Sequence, residues 1–137
     1  MIKRKPSRAA SEAEQDYLEA IHELIQMRGY AKAVEIAERL RLKRPTVTRM
    51  LQKLSRDGFL KYEKYRGIGM TRQGRATASE MQRRHHLIRK FLMGLGVDAK
   101  TADADAEGME HHVSPKTLKC LSNWLAKSVV FRKEKNT

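Results

Sequence analysis

Cysteine is almost absent from this chain, and long apolar runs are absent as well. Cys120 is the one cysteine in 137 residues, so neither a disulfide framework nor a cysteine zinc cluster can form within one chain. No apolar run reaches the length that crosses a bilayer, and the basic start at residues 1–5 lacks the apolar segment of a signal peptide. The sequence therefore predicts a soluble protein of the cytoplasm with no membrane partner.

Sequence signals of several enzyme classes are missing too. The chain has no glycine-rich phosphate loop and no His-Glu-x-x-His string. A metal-dependent hydrolase stays an open alternative, because paired carboxylates with histidine can activate water. However, 137 residues make one ordinary domain or two small ones, which leaves little room for a substrate cleft. We therefore expect a binding protein and not an enzyme.

Acidic residues are scarce relative to basic ones, and the imbalance is greatest in the middle of the chain. The sequence has 29 Lys and Arg against 16 Asp and Glu, a formal net charge of +13. Residues 28–75 alone hold 14 of the basic residues and only 4 of the acidic ones. Such a surplus is typical of proteins that bind a polyanion, most simply nucleic acid. A basic surface that serves only solubility is the alternative.

The same basic stretch has the element order of a winged helix-turn-helix. Ser11 and Glu14 form a capping box that predicts a helix to about Met27, followed by helices at 34–40 and 45–56. Two short strands are expected at 59–63 and 68–71, around a basic hairpin tip. A long helix at 73–95 and a helix at 99–112 should follow. Ser114 is the expected cap of a last helix at 115–126, and the polar tail should fray. The second helix lacks a good N-cap residue.

The third predicted helix has one apolar side and one side suited to DNA. With Val47, Leu51 and Leu54 turned inward, its N-terminal turn would meet base edges in a major groove, while the hairpin tip would meet phosphates. The candidate DNA-binding residues are Arg44, Pro45, Thr46, Thr48, Arg49, Gln52, Lys53, Lys64 and Arg66. A winged domain that binds protein through a solvated basic helix is the alternative.

Carboxylates and imidazoles at helical spacing predict a metal site near the end of the chain. Glu107, Glu110 and His111 stand at i, i+3 and i+4, which places them on one face of a helix. Asp103 lies on that face one turn earlier, where we expect it to offset the dipole at the helix N-terminus. The other candidate ligands for the same site are Asp16, Glu19 and His85. Since His86 points about 100° away on a helix, only one of the two adjacent histidines should face the site.

The charge of this ligand set matches two divalent cations. The carboxylates of Asp16, Glu19, Glu107 and Glu110 together carry four negative charges and would repel one another without metal. Oxygen-rich ligation without thiolate suits a hard ion such as Mn²⁺ or Fe²⁺, although Zn²⁺ could also occupy the site. A winged-helix regulator that senses no metal, with these carboxylates solvated, is the alternative.

Several short strings in the chain carry a resemblance to a known family. They are Asp-Tyr-Leu-Glu at 16–19, Tyr-Glu-Lys-Tyr-Arg-Gly at 62–67, Arg-His at 84–85, Phe-Leu at 91–92, Gly-Val-Asp at 96–98 and Glu-Gly-Met-Glu-His-His at 107–112. Through them the chain resembles the manganese transport regulators of the diphtheria toxin repressor family, over roughly residues 14–118. The last string is specific when a winged helix stands upstream of it.

The resemblance implies a binuclear site built from Asp16, Glu19, His85, Glu107, Glu110 and His111. In that site Glu19 and Glu107 would bridge the ions, with His85 and Asp16 on one ion and His111 on the other. The resemblance also implies that relatives tuned to iron have a methionine and a cysteine where this chain has Asp16 and Glu110, which favours Mn²⁺ here. Two Mn²⁺ per subunit are expected, with Fe²⁺, Zn²⁺, Cd²⁺ or Co²⁺ as substitutes.

The resemblance also implies the architecture and the partners. The expected fold class is mainly α, with a winged helix-turn-helix DNA-binding domain and a helical dimerisation domain. The expected divisions are a basic flexible arm at 1–10, the DNA-binding domain at 11–73, and the metal-binding and dimerisation domain at 74–137. A homodimer of this kind would repress manganese-uptake genes from a pseudo-palindromic operator on double-stranded DNA. An iron- or zinc-responsive regulator of the same family is the alternative.

Overall fold

The structure is a computed structural model that describes residues 9–63 and 67–135, with side chains as far as residue 128. Its elements are α1 (Glu12–Arg28), α2 (Ala33–Leu40), α3 (Arg44–Arg56), β1 (Leu60–Glu63), β2 (Gly67–Met70), α4 (Arg72–Gly94), α5 (Ala99–Met109) and α6 (Pro115–Lys135). The chain divides into two compact units, Met1–Glu80 and Met81–Thr137, and each is described by itself. The predicted mainly α fold is confirmed. The predicted domain boundaries, with a break at residue 73, stay a prediction.

Local signals in the sequence determine both ends of α1. The Ser11 hydroxyl accepts a hydrogen bond from the Glu14 N–H at 3.2 Å, and the Glu14 carboxylate accepts one from the Ser11 N–H at 3.2 Å. This reciprocal pair satisfies two of the amides that a helix start leaves without helical partners. At the other end Gly29 adopts φ +85°, and its N–H donates to the Ile25 carbonyl. The predicted helix is therefore confirmed to within one residue.

Helices α2 and α3 pack on α1 through apolar side chains. α2 starts after Lys32 without a side-chain cap, in agreement with the weak start expected there. α3 has Pro45 in its first turn, where the missing proline N–H costs nothing. Val47, Leu51 and Leu54 are fully buried, which confirms the inward side of this helix. Around them lie further core side chains, Leu18, Ile21, Ile36 and Phe59.

The wing is the antiparallel hairpin β1–β2. Leu60 pairs with Met70 at its open end, and Glu63 pairs with Gly67 at the other. The Thr71 hydroxyl then accepts from the Gly74 N–H at 3.1 Å and donates to the Gly58 carbonyl at 2.6 Å, which fixes the start of α4. The Cβ of any residue larger than glycine at position 74 would lie 2.0 Å from the Phe59 carbonyl oxygen.

The second unit has a small core between its helices, formed by Ile88, Ala106 and Leu118. The prediction that α5 continues to residue 112 is wrong, since the helix ends at Met109. Arg84 explains the early end: its guanidinium donates to the carbonyl oxygens of Glu110 at 3.2 Å and Val113 at 2.7 Å. Carbonyls that leave the helical ladder need such donors.

The last helix is longer than the sequence suggested. The Ser114 hydroxyl accepts from the Thr117 N–H at 3.2 Å, as expected of an N-cap, but the predicted end near residue 126 is wrong because α6 runs to Lys135. No glycine or proline interrupts residues 115–135 after the first position, so a polar tail does not by itself stop the helix. Among the described residues, none of the helices combines the length and apolarity needed to cross a membrane.

Candidate metal centre and DNA-binding surface

The acidic face of α5 is positioned by the way this helix starts. Asp98 is its N-cap, and the Asp98 carboxylate accepts a hydrogen bond from the Thr101 N–H at 3.0 Å. Hydrogen bonds from Thr101 hold the pKa of Asp98 below its usual value, because they favour the charged form of the carboxylate that caps the helix. The carboxylates of Asp103, Glu107 and Glu110 then recur at intervals of about one turn along a single face.

His85 on α4 is the centre of the cluster that this face forms. Its Nδ1 lies 3.0 Å from Oε2 of Glu110 and 3.7 Å from Oε1 of Glu107. Its Nε2 lies 2.7 Å from Oδ1 of Asp103. Both ring nitrogens therefore face carboxylate oxygens, and the His85 side chain is only 15% exposed. His86 next to it is exposed, so one of the two adjacent histidines lies in the cluster.

Glu110 and His111 follow directly after α5. The Glu110 N–H still donates to the Ala106 carbonyl at 3.0 Å, which keeps Glu110 in helical conformation although the helix ends. Nε2 of His111 lies 3.6 Å from Oε1 of Glu110. The Glu110 side chain is fully buried, with an imidazole near each of its two oxygens. His112 is exposed.

These side chains suit a divalent cation. The ligand atoms of His85, Glu107 and Glu110 all lie within 4.8 Å of one another, close enough to bind one ion. Carboxylate oxygens with a few imidazole nitrogens are donors that hard and borderline divalent metals accept. Burial of a carboxylate such as Glu110 is costly unless positive charge or donors surround it, and a cation would supply that charge. The residues present therefore fit a metal ion.

Asp16 and Glu19, the two candidate ligands near the N-terminus, lie in the first unit. They are three residues apart on α1, which places them on the same side of that helix. Glu19 is only 6% exposed, and Asp16 is half-buried. Burial of an acidic side chain on a surface helix is unusual, which agrees with a role for Glu19 beyond solubility.

The role expected for Asp103 is wrong. α5 starts at Ala99 and is capped by Asp98, so Asp103 lies beyond the first turn, where the helix dipole is no longer strong. Its carboxylate instead contacts His85, and Nε of Arg89 lies 3.5 Å from the same Oδ1. The sequence predicted no contact for Arg84 or Arg89, although Arg84 is part of a string that carries the family resemblance. The four-residue interval between His85 and Arg89 was the available signal, because it places both on one helix face.

The candidate DNA-binding residues of α3 are mostly on its outer side. Exposed positions are Arg44, Pro45, Thr46, Arg49 and Gln52, whereas Thr48 and Lys53 are half-buried. The Thr48 hydroxyl donates to the Arg44 carbonyl at 3.1 Å, within the helix itself. Nζ of Lys53 lies 3.9 Å from Oε1 of the buried Glu14 on α1. The candidates Lys64 and Arg66 at the wing tip lie outside the described residues.

A winged helix-turn-helix with a basic outer face, followed by a helical unit with a carboxylate–imidazole cluster, defines a metal-dependent DNA-binding regulator. The family model for the iron dependent repressor N-terminal DNA binding domain matches residues 10–68. The model for the iron dependent repressor metal binding and dimerisation domain matches residues 71–129.

Individual relatives agree with the family models. The HTH-type transcriptional regulator MntR of Lysinibacillus sphaericus is 44% identical over 100 residues, which cover 73% of this chain and 72% of the relative. The solved structure of the manganese regulator SloR is 32% identical with a TM-score of 0.73 and covers 82% of this chain. ScaR with bound Zn²⁺ is 32% identical with a TM-score of 0.70 and also covers 82%. This chain spans 53% of the length of each of these two solved chains.

The chain belongs to the iron-dependent repressor family. It is a metal-responsive transcriptional regulator and not an enzyme, with a DNA-binding domain followed by a metal-binding and dimerisation domain. The predicted resemblance to metal-dependent repressors is therefore confirmed, and helix α3 and strand β1 of the wing lie within the matched DNA-binding domain.

Proposed function

We propose that this protein is a cytoplasmic regulator that responds to manganese and represses the genes for manganese uptake. The observation that supports this most is the cluster of His85, Glu107 and Glu110, whose ligand atoms lie within 4.8 Å of one another in the matched metal-binding domain. Similarity to MntR and to the manganese regulator SloR supports the choice of ion. Oxygen-rich ligation without thiolate is compatible with the same ion.

The proposed ligand set has six residues and holds two ions per subunit. Its members are Asp16, Glu19, His85, Glu107, Glu110 and His111. Four carboxylates would neutralise two divalent cations, and bound metal would supply the positive charge that these carboxylates would need in a shared site. Fe²⁺, Zn²⁺, Cd²⁺ and Co²⁺ are the expected substitutes, and the similar protein ScaR, solved with bound Zn²⁺, supports this breadth. Cellular supply and coordination geometry would then determine which ion is used.

Helix α1 is the element through which metal ligation would affect DNA binding. It carries Asp16 and Glu19, and its first turn also carries Glu14, which pairs with Lys53 of α3. Side chains that hold α1 in one position therefore also restrain the helix that presents Arg49 and Gln52. A ligand that favours the DNA-competent state typically contributes about 1–3 kcal/mol of coupling, which is about 5- to 150-fold in operator affinity.

The proposed DNA target is a pseudo-palindromic operator that a homodimer contacts with one α3 and one wing per half-site. The residues proposed to contact DNA are Arg44, Pro45, Thr46, Thr48, Arg49, Gln52, Lys53, Lys64 and Arg66. Lys53 would exchange its ion pair with Glu14 for phosphate, or keep it and act through α1. Each phosphate contact adds to the decrease in affinity with salt.

The decisive experiment is selection of operators from random DNA with and without each candidate cation. The selected operator is then titrated with wild type, Glu107→Ala and the control Asp105→Ala, which removes an exposed carboxylate from the same helix. We expect Mn²⁺ to strengthen binding by wild type and Asp105→Ala, and chelator to abolish the gain. Glu107→Ala should lose the metal response. Equal metal responses in all three proteins would contradict the assigned site, and selection that succeeds only with Fe²⁺ or Zn²⁺ would contradict the choice of manganese.

A further inference from the structure

The two nitrogens of the His85 ring face different surroundings. Nδ1 lies 3.0 Å from Glu110 and 3.7 Å from Glu107, on the side of the proposed metal ligands. Nε2 lies 2.7 Å from Oδ1 of Asp103, a residue outside the proposed ligand set. An imidazole that binds a cation through one nitrogen carries its proton on the other, and that N–H is normally donated to a nearby acceptor. Asp103 is in the correct position to be this acceptor.

The charges near Asp103 disfavour a cation on the Nε2 side. A cavity of about 440 Å³ there is lined by His85, His86, Arg89, Ala99, Lys100 and Asp103. Nε of Arg89 lies 3.5 Å from the same Asp103 oxygen that His85 contacts. A divalent ion in this cavity would be repelled by Arg89 and Lys100, whereas on the Nδ1 side Glu107 and Glu110 would attract it. The local electrostatics therefore favour metal at Nδ1 and a proton at Nε2.

We propose that Asp103 is a positioning residue for metal binding, because it accepts the His85 Nε2–H and so directs Nδ1 towards the metal. Arg89 in turn restrains the Asp103 carboxylate. This side chain is 59% exposed and would sample several rotamers without that contact. The order of contacts is Arg89 to Asp103 to His85 to metal. This inference rests on the proposed function, since it needs His85 to be a ligand. It adds a determinant of affinity that is not itself a ligand.

The first test compares Mn²⁺ affinities measured by calorimetry. The proteins are wild type, Asp103→Asn, Asp103→Ala and the control Asp105→Asn, which makes the same charge change on an exposed residue of α5. Loss of a residue that orients a metal ligand typically weakens metal binding by about 10- to 100-fold. We expect that loss in Asp103→Ala, a smaller loss in Asp103→Asn because its neutral amide oxygen is a weaker acceptor, and wild-type affinity in Asp105→Asn. Thermal unfolding in chelator checks folding, and if Asp103→Ala does not fold, the isosteric Asp103→Asn decides the matter alone.

The second test is spectroscopic and would not respond to a purely structural role of Asp103. Nitrogen-15 NMR of the Zn²⁺-loaded protein identifies which imidazole nitrogen is metal-bound and which is protonated, and His85→Gln assigns the signals. Wild type should show metal at Nδ1 and a slowly exchanging proton at Nε2, and in Asp103→Ala that proton should exchange faster. Metal at Nε2 in wild type would overturn the inference.

The outcomes separate the inference from the proposed function. If wild type binds Mn²⁺ and both Asp103 variants bind it as tightly as Asp105→Asn, the inference is wrong while the proposed function stands. If wild type takes up no divalent metal, the proposed function is wrong and the inference falls with it.

Discussion

Gly74 and Gly108 are both helical glycines, yet alanine at the two positions should have opposite effects on stability. A Cβ on Gly74 would lie 2.0 Å from the Phe59 carbonyl oxygen and 3.1 Å from its carbonyl carbon, both backbone atoms that cannot simply rotate away. A Cβ on Gly108 would meet no atom of the described residues within 4 Å. The pair therefore separates the effect of close packing from the effect of helix propensity.

The expected magnitudes follow from these distances. Overpacking in a close contact costs about 1–3 kcal/mol, and the better helix propensity of alanine returns about 1 kcal/mol at most. Because the contact is as short as 2.0 Å and involves backbone, the cost should lie in the upper part of that range, at about 2–3 kcal/mol, and Gly74→Ala should lower the free energy of unfolding by about 1–2 kcal/mol. Gly108→Ala has no such contact and should raise it by about 0.8–1 kcal/mol. For a chain of this length about 4 °C in Tm corresponds to 1 kcal/mol. Tm should therefore fall by about 4–8 °C in Gly74→Ala and rise by about 4 °C in Gly108→Ala.

Thermal unfolding followed by far-UV circular dichroism measures both effects. Chelator must be present, because metal that binds the folded state raises its apparent stability. If Gly74→Ala proved as stabilising as Gly108→Ala, α4 could not start as close to Phe59 as the structure has it. If instead Gly108→Ala were destabilising, position 108 would not be an open helical site. A Gly74→Ser variant should behave like Gly74→Ala, since the contact involves only Cβ.

Two further changes test side chains that support the site. Arg84→Met removes the guanidinium that donates to the Glu110 and Val113 carbonyls. Urea unfolding should therefore show a free energy of unfolding that is lower by about 2–4 kcal/mol, and calorimetry should show weaker Mn²⁺ binding. An unchanged urea midpoint would refute this role of Arg84. The Tyr17 hydroxyl is buried without a hydrogen-bond partner among the described residues, and burial raises the pKa of this phenol, so Tyr17→Phe should stabilise by about 1 kcal/mol. A lower urea midpoint for Tyr17→Phe would mean that the hydroxyl is hydrogen-bonded.

Features with a local cause could be predicted from the sequence. Ser11 with Glu14 predicted the start of α1, and Pro45 marked the start of α3, because capping depends only on residues three or four positions apart. The same holds for the face shared by Glu107 and Glu110. Helical periodicity also predicted that only one of the two adjacent histidines would lie in the cluster.

Features that depend on residues distant in the sequence could not be predicted. The end of α5 depends on Arg84, which is 26 residues from Glu110 in sequence, and no local breaker signals it. The contact between Asp103 and His85 likewise depends on how α4 and α5 pack, 18 residues apart. In both cases the contact forms only when two helices pack together, so the sequence near Arg84 or Asp103 does not predict it. The length of α6 was missed for another reason, since polarity was taken as a stop signal in a segment without a helix breaker.

Arg84 donates hydrogen bonds to two main-chain oxygens of the segment after α5, those of Glu110 and Val113. Every amino acid supplies the same carbonyl, so these two hydrogen bonds do not require a particular side chain at position 110. If Glu110 binds metal as proposed, a substitution at this position would change the ligand set and leave these two hydrogen bonds in place. The preferred cation of such a site could then change by single substitutions, without a compensating change in the fold.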